Sequence, residues 1–312
     1  MTDIAAVILN YNDSKAVMDL ARTIAGYGSI DRIIVVDNAS TDGSAEILSR
    51  ELNMFNSVCL ERYGQRKVIL MASPSNGGYG SGNDIGVRYA KEHLGAKYCL
   101  IANPDVRFDE ELVHRMRDIF NKEKNAAAAG AVMRLSGEGP EDGAAKFSYA
   151  EYLRSGWKCR GFWGELMACG PVLKRLFSPF INFSRGYYER QPEYVRVYAV
   201  HGSLLMVDTD RFLSVGGYDE DMFLYMEEYA LAHRLKKNGC ETFLVKKYYE
   251  HEGSHSITGA GNGAVKRQKF RQDSERIYFK RYLGAGKLKM LLLRLIQSVV
   301  MLETRIVFKE RP

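Results

Sequence analysis

The sequence predicts an α/β protein with a mixed, mainly parallel sheet flanked by helices, and a helical extension at the C-terminus. Three observations carry this. Short β-rich runs alternate with helix-period segments through the first half, the signature of βα units around a parallel sheet. Two of those runs lead into carboxylates, Asp37 and Asp105, at the strand ends where open α/β sheets bind ligands. Past residue 264 the alternation gives way to two long segments of helical period, rich in Lys and Arg.

Strands are predicted at 4–9, 32–36, 67–71, 97–102 and 128–133, each an apolar run of strand length. Helical patterns lie between them at 14–25, 44–52, 83–93 and 110–122; Ser44, after the Gly43 turn, and Asp109 are the expected caps of the second and fourth. Gly, Pro and acidic residues over 135–143 read as a loop. From 147 to 198, Trp157 and Trp163 stand among many Tyr, Phe and Arg residues without a clear period. That stretch is either an irregular packed insertion or a surface that contacts an acceptor or a membrane. Regularity returns with a strand at 197–207, a short helix at 208–214, a helix at 226–237 ended by Asn238-Gly239, and a strand at 241–246. Two helices, at about 264–283 and 286–308, close the chain.

A chain of 312 residues that is 46% hydrophobic can bury a sizeable core in one large domain or one and a half. The five cysteines (59, 99, 159, 169 and 240) contain no C-x-x-C pair; their odd number, without a secretory signal, points to reduced, buried thiols in a cytosolic protein. The first apolar run has strand length and no basic segment before it, so it reads as a strand and not a leader. The net charge of +6 belongs to the tail: residues 266–312 hold 13 Lys and Arg against 4 Asp and Glu. No nucleic-acid-binding motif accompanies that charge, which favours an anionic membrane surface as its partner. In the last helix Lys287, Arg294, Ser298 and Arg305 share one face, and apolar residues fill most of the rest. Charges at 289, 294, 303 and 305 argue against a membrane span and for an interfacial helix, with packing on the domain or on a second copy in a homodimer as the alternative.

Two strand-end carboxylates suggest one polar crevice. Such a crevice suits a nucleotide base at one carboxylate and a diphosphate-bound divalent cation at the other, because hard cations take carboxylate and phosphate oxygens together. By themselves Asp37 reads as a turn or capping residue, Tyr11 as surface packing, His251 as a structural histidine, and Glu227-Glu228 as a solvated acidic helix start. The glycines between Asn76 and Gly86 match neither a dinucleotide fingerprint nor a phosphate-binding P-loop. They allow either a turn or a close approach of backbone to a ligand's sugar and phosphates.

Taken in order, several short motifs resemble the family 2 glycosyltransferases of the GT-A fold, particularly the bacterial rhamnosyltransferase-like members. They are Val7 to Asn12, Val36 to Ser44, Asn76 to Asn83, Asn103-Pro104-Asp105, His201 to Val207, Gly216 to Glu228 and His251 to Ser256. The resemblance covers about residues 4–256. It implies a GT-A domain over 1–256, with a nucleotide-binding half at 1–134 and an acceptor-binding half at 135–256, followed by basic amphipathic helices at 257–312. It implies that Asp37 accepts the N3–H of uracil or thymine, an imide that suits an acceptor-only carboxylate. Leu9, Tyr11, Asn76, Gly78, Asn83 and Asn103 would complete the nucleotide site. Asp105 would hold Mg²⁺ or Mn²⁺, with His251 as a further ligand and His255 behind it. Glu228, where relatives carry Asp, would be the base, with Glu227 in reserve; His201, Gly202, Trp157 and Trp163 would face the acceptor. Asn103 in place of the first acid of the D-x-D motif, and Ala230 in place of another acid, depart from the pattern.

The function so implied is inverting, metal-dependent transfer of a sugar, with rhamnose first, from a dTDP- or UDP-sugar to a glycan or lipid-linked acceptor in cell-surface polysaccharide assembly. The setting would be the cytoplasmic face of the membrane. A UDP-dependent galactofuranosyl- or hexosyltransferase, and a non-catalytic sugar- or lipid-binding subunit, are the alternatives. A nucleotidyltransferase is disfavoured because Asn10 to Asp13 supplies no basic, glycine-rich triphosphate loop.

Overall fold

The alternating runs of the first half fold as βα units: β1 (Ile4–Asn10), α1 (Ser14–Ala25), β2 (Arg32–Asp37), α2 (Ser44–Tyr63), β3 (Val68–Ala72), α3 (Gly78–Leu94) and β4 (Tyr98–Ala102). This computed structural model describes residues 2–64, 67–138, 147–253 and 263–307. β1 pairs in parallel with β2 and β4, and β2 with β3. Their apolar runs are continuous because both faces are covered. Ile4, Ala6 and Ile8 of β1 enter one core cluster while Ala5 and Val7 enter another, the two-residue period of a strand.

After β5 (Val106–Arg107), α4 (Glu110–Lys122) and β6 (Ala126–Leu135), the chain makes short helices around a two-residue strand: α5 (Tyr149–Ser155), β7 (Gly156–Trp157), α6 (Phe162–Ala168), α7 (Pro171–Leu176), α8 (Ser178–Ile181) and α9 (Arg185–Tyr188). The chain then continues through β8 (Tyr194–Val197), β9 (Ala199–Val200), β10 (Leu204–Asp208), α10 (Thr209–Ser214), α11 (Glu227–Lys237) and β11 (Glu241–His251). The main sheet has the order β3-β2-β1-β4-β10-β6-β11-β5, with β8 on β11. β10 runs antiparallel to both neighbours, so the sheet is mixed.

Several expectations change: the helix expected at 44–52 runs to Tyr63 and the strand expected at 241–246 runs to His251. The strand expected at 197–207 is three strands, because the chain leaves the main sheet at Tyr198, whose N–H donates to Trp157 O at 2.8 Å, and pairs β9 with β7 before returning. α3 starts at Gly78, ahead of the predicted 83, because its glycines are packing positions. A Cβ on Gly82 would lie 2.4 Å from Leu9 Cδ1, and one on Gly86 2.4 Å from Val7 Cγ1. Close helix–sheet contact overrides their weak helix propensity. Ser44 does not cap α2: Gly43 takes that place with φ +84°, and Ser44 N–H donates to Asp42 Oδ1 at 2.9 Å. Asp109 does cap α4, accepting Leu112 N–H at 2.9 Å.

The extension forms α12 (Ala264–Ile277), a π-helical turn over Tyr278–Tyr282, and α13 (Lys287–Val307). Tyr278, Phe279 and Leu293 share a core cluster with Phe162 of α6 and Tyr229 of α11, so the extension packs on the second half. Gln272 and Gln297 bridge α12 and α13, each amide donating to the other's backbone carbonyl at 2.7 and 3.1 Å. Along α13, Leu293 and Val300 are buried, while Leu288, Leu291, Leu295, Leu302 and Ile306 are exposed. No helix among the described residues is long and apolar enough to cross a membrane. All five cysteines are free thiols; Cys59, Cys99 and Cys169 are buried as expected, whereas Cys159 is exposed.

Candidate active site

Strand order brings the two carboxylates to one edge. Asp37 ends β2 and Asn103 to Asp105 follow β4; both strands flank β1 in parallel, so their carboxyl ends meet. Asp37 is 3% exposed. Its Oδ1 accepts from Asn10 Nδ2 at 2.7 Å and Ser40 Oγ at 2.6 Å, and its Oδ2 accepts from Ser40 N–H at 3.1 Å. Oδ2 keeps a lone pair for a further donor. The turns after β1 and β2 are laced together, Asn12 N–H donating to Ser40 Oγ at 3.0 Å and Asn12 Oδ1 accepting Thr41 N–H at 2.8 Å. Asn12 and Ala39 sit at φ 57° and 55°, a strained conformation for residues other than glycine. Tyr11 is half-buried beside this turn.

A second wall comes from the start of α3. Asn38 Nδ2 donates to Asn76 Oδ1 at 3.0 Å and to Gly78 O at 3.1 Å, and Gly78 N–H donates to the same Asn76 oxygen at 3.0 Å. Gly78 needs to be glycine: at φ +90° its Cβ would lie 2.0 Å from Phe223 O. Asn38 Oδ1 and Asn83 Oδ1 are buried acceptors with no hydrogen-bond partner. Buried polar atoms are seldom left so.

At the other carboxylate three segments converge. β10 is antiparallel to β4 with Leu204 opposite Ala102, which sets His201-Gly202-Ser203 beside Asn103 to Asp105; Asn103 N–H donates to Ser203 O at 2.8 Å. The long β11 pairs His251 with Val106. Asp105 is buried, and its Oδ1 accepts no hydrogen bond although His251 Nε2 stands 3.3 Å away. The His201 ring lies 5.8 Å from that of His251. Burial, and then the neighbouring His251, push the His201 imidazole down to about 4, so it is neutral. His201 Nδ1 accepts Ser203 N–H at 3.2 Å, and Ser203 Oγ bonds Tyr249 Oη at 2.6 Å. Among the described residues no three His, Cys, Asp or Glu side chains form a metal-ligand cluster. His255 lies outside the described residues.

The same His201-Gly202-Ser203 segment reaches the candidate base. Glu228 Oε1 accepts Gly202 N–H at 3.0 Å, and Tyr79 Oη donates to Gly202 O at 2.7 Å. Tyr225 and Met226, at φ 71° and 67°, aim the start of α11 at this point. Glu227 is 3% exposed with Oε2 unpartnered. Burial raises both carboxyls above the usual carboxylate range, and the charge of Glu228 raises Glu227 further. Glu228 and His201 line a cavity of about 520 Å³ that Glu227 does not line. Trp157 also lines it, stacked on Tyr229 at 5.0 Å. Trp163 does not: it is 58% exposed on the outer surface against Phe162.

Gly202 is a close-approach position, since its Cβ would lie 2.3 Å from Glu228 Oε1. Gly202→Ala is expected to displace that carboxylate and lower turnover by about 10- to 100-fold without loss of fold, the scale of a misplacement of about 1 Å. Unchanged turnover in steady-state kinetics would deny Glu228 its role.

The site residues missed in the sequence are Asn10, Asn38, Ser40, Tyr79 and Ser203. Asn10 and Ser40 carried a faint signal, lying within the same turns as Tyr11 and Asp37. Tyr79 lay within the Asn76 to Asn83 motif, but its contact with Gly202 carried no signal because the two residues come from different halves of the chain.

Comparison with known proteins follows the same outline. A sequence model described as Glycosyl transferase family 2 matches residues 6–179. The chain is 22% identical over 241 residues to a low-salt glycan biosynthesis hexosyltransferase of Haloferax volcanii, covering 76% of this chain and 62% of that protein. It is 28% identical over 215 residues to an N-acetylglucosaminyl-diphospho-decaprenol L-rhamnosyltransferase of Mycobacterium tuberculosis, covering 66% and 61%. The chain thus spans about three fifths of the length of these relatives. Among solved structures it superposes on a mannosyltransferase from Pyrobaculum calidifontis in complex with GDP-Man and Mn²⁺, at TM-score 0.57 and 13% identity, covering 97% of this chain and 73% of that one. GalNAc-T7 with UDP, GalNAc and Mn²⁺ superposes at TM-score 0.59 and 13% identity, covering 100% and 59%. These likenesses establish the GT-A fold.

Proposed function

The chain belongs to glycosyl transferase family 2, and from that premise we propose that it is an inverting, metal-dependent glycosyltransferase that uses a pyrimidine-nucleotide sugar. The observation that carries the reading is the His201-Gly202-Ser203 segment, which ties the Asp105–His251 pair to Glu228 at the wall of an acceptor-sized cavity. In this reading Glu228 takes the proton of an acceptor hydroxyl. The freed oxygen attacks the anomeric carbon as its bond to the nucleoside diphosphate breaks on the opposite face, giving inversion in one displacement. Asp37 accepts the base imide, and the unpartnered oxygens of Asn38 and Asn83 accept donor N–H or O–H groups.

The residues fit a divalent cation: a buried carboxylate oxygen without a hydrogen bond beside a histidine nitrogen is an unsatisfied donor set that Mg²⁺ or Mn²⁺ would complete. Asp105 and His251 would hold it, and when bound it neutralises charge that develops on the leaving diphosphate. The donor of first choice is dTDP-rhamnose, after the rhamnosyltransferase relative, and the second is a UDP-hexose, after the hexosyltransferase relative. A glycan or lipid-linked acceptor is supported by the names of the same relatives, one in glycan biosynthesis and one acting on a diphospho-decaprenol, and surface polysaccharide assembly is the setting we assign to it.

Dye-monitored melting with UDP-, dTDP- and GDP-sugars and Mn²⁺ tests the reading, since a ligand of the native state stabilises it by mass action. A pyrimidine donor should raise Tm by several degrees only with the cation. Stabilisation by GDP-sugars alone, or none at all, would overturn the assignment.

The exposed leucines of α13, with Lys and Arg around them, support placement on the anionic cytoplasmic face of the membrane. Leu288, 84% exposed, and Leu295 are outside the core. Leu288→Glu with Leu295→Glu should therefore weaken binding to phosphatidylglycerol vesicles by at least about tenfold, given about 1.5–3 kcal/mol per buried leucine. Salt should weaken the wild type too. A concentration-dependent dimer lost in the same variant, without vesicle binding, would assign the stripe to a second copy.

A further inference from the structure

We propose that the cavity beside Glu228 contains a subsite for a phosphate group on the acceptor, formed by Arg160, Lys174 and Arg271. The inference rests on the transferase reading, because Glu228 lines the same cavity.

These three cations come from different elements: the segment before α6, the helix α7, and α12. They nevertheless line one cavity. Arg160 is 8% exposed, and its Nε has no hydrogen-bond partner. One of its amino groups is held by Tyr229 Oη, which fixes the guanidinium against the aromatic wall. The carboxylate nearest to it, Glu165 Oε1, is 3.6 Å away and itself unpartnered. Burial pushes the Glu165 carboxyl up to about 7, so near neutral pH it is only part-ionised and offsets Arg160 incompletely.

Lys174 and Arg271 have no carboxylate within ion-pair distance among the described residues. Desolvation, then the like charges of Arg160 and Arg271, hold the Lys174 ammonium below its ordinary value, with Glu165 opposing them only in part. Arg271 is positioned by stacking on Tyr225, with its guanidinium carbon 4.5 Å from the ring centroid. The second acid on this wall, Glu275, is engaged by Gln297 Nε2 at 2.8 Å, and burial raises it as well. Arg160 is the buried cation of the three, and a buried charge is unfavourable without a full counter-ion; Lys174 and Arg271 stand exposed in the same lining. Guanidinium and ammonium groups are the side chains that pair with phosphate oxygens. A cavity of about 520 Å³ has room for a sugar as well as the anion.

The phosphate has two possible sources: a lipid diphosphate, or a soluble phosphate without a lipid. The surroundings of Lys174 bear on the choice. The start of α7 touches α13, where a Cβ on Gly170 would lie 2.5 Å from Val300, and Val172, Leu176 and Phe180 nearby are exposed.

Isothermal calorimetry of the full chain in EDTA, which keeps cations from the donor site, tests this with three probes: farnesyl diphosphate, inorganic pyrophosphate and the neutral dodecyl glucoside. The two phosphates should bind, and Lys174→Ala with Arg271→Ala, at exposed positions, should weaken them by at least tenfold. Arg160→Lys, which keeps the charge and loses the fork, should weaken them less. Tighter binding of farnesyl diphosphate than of pyrophosphate assigns the subsite to a lipid-linked phosphate, and equal binding to phosphate alone. Phosphate affinity unchanged by the cavity substitutions, or dodecyl glucoside binding as well as farnesyl diphosphate, overturns the proposal. Mn²⁺-dependent donor binding in the same variants reports separately on the transferase reading: its loss from the wild type would overturn that reading, and its retention with unaltered phosphate binding would overturn the subsite alone.

Discussion

Glu228→Gln is expected to leave donor binding intact and to lower sugar transfer by about 10² to 10⁴, the range for loss of a general base. The amide keeps the hydrogen bond from Gly202 N–H, which Glu228 Oε1 accepts at 3.0 Å, so the fold around α11 should hold. What it cannot do is take a proton. Glu227→Gln should cost much less, because Glu227 is buried away from the cavity that Glu228 lines. The pH profile carries a second check. Burial raises the Glu228 carboxyl above its ordinary value of 4.5, so a base there remains protonated, and inactive, until the pH exceeds that value. The acidic limb of kcat/KM should thus lie above pH 4.5 in the wild type and vanish in Glu228→Gln. If single-turnover measurements ranked the two variants in the reverse order, the base would be Glu227.

The second large effect is expected from Asp105→Asn. The Asn103-Pro104-Asp105 turn holds a single carboxylate, so Asp105 is the sole acid of that turn available to a cation. Its Oδ1 is buried without a hydrogen bond, and its ion-pair neighbour is His251 Nε2 at 3.3 Å. The amide should fold normally and reduce Mn²⁺-dependent UDP or dTDP affinity by at least about tenfold, or about 1.4 kcal/mol. His251→Ala should have the same sign and a smaller size, since an imidazole ligand brings no negative charge to the cation. Calorimetry with and without Mn²⁺ checks both. Equal cation-dependent affinity in wild type and Asp105→Asn would remove Asp105 from the donor site.

Much of the fold was legible because its signals are local. β1, β2 and β4 are continuous apolar runs covered on both faces, and α1 and α4 have the bounds that their period and caps predict. Asp37 and Asp105 follow their strands directly, so parallel pairing on β1 was enough to bring them to one edge. The strand expected at 197–207 failed for a non-local reason: its middle residues pair with Gly156 and Trp157, which no periodicity within the segment records. Only the start of α3 was misplaced, since glycines that allow a turn or a close approach to a ligand do not show that Leu9 and Val7 fill the place of their missing side chains.

The sequence by itself determined the βα order, the two strand-end carboxylates and the acidic start of α11, because each depends on residues a few positions apart. Tertiary structure decided what those groups do together. Antiparallel β10 sets Gly202 against Glu228, and the long β11 carries His251 to Asp105. Three separate elements bring Arg160, Lys174 and Arg271 to one cavity. It also chose between the two tryptophans, putting Trp157 in the cavity wall and Trp163 on the surface. On α13 leucine occurs on both faces, so composition alone could not say that Leu293 is buried and Leu288 exposed. Burial is a property of the partner surface, and distant partners leave no period in the chain that they meet.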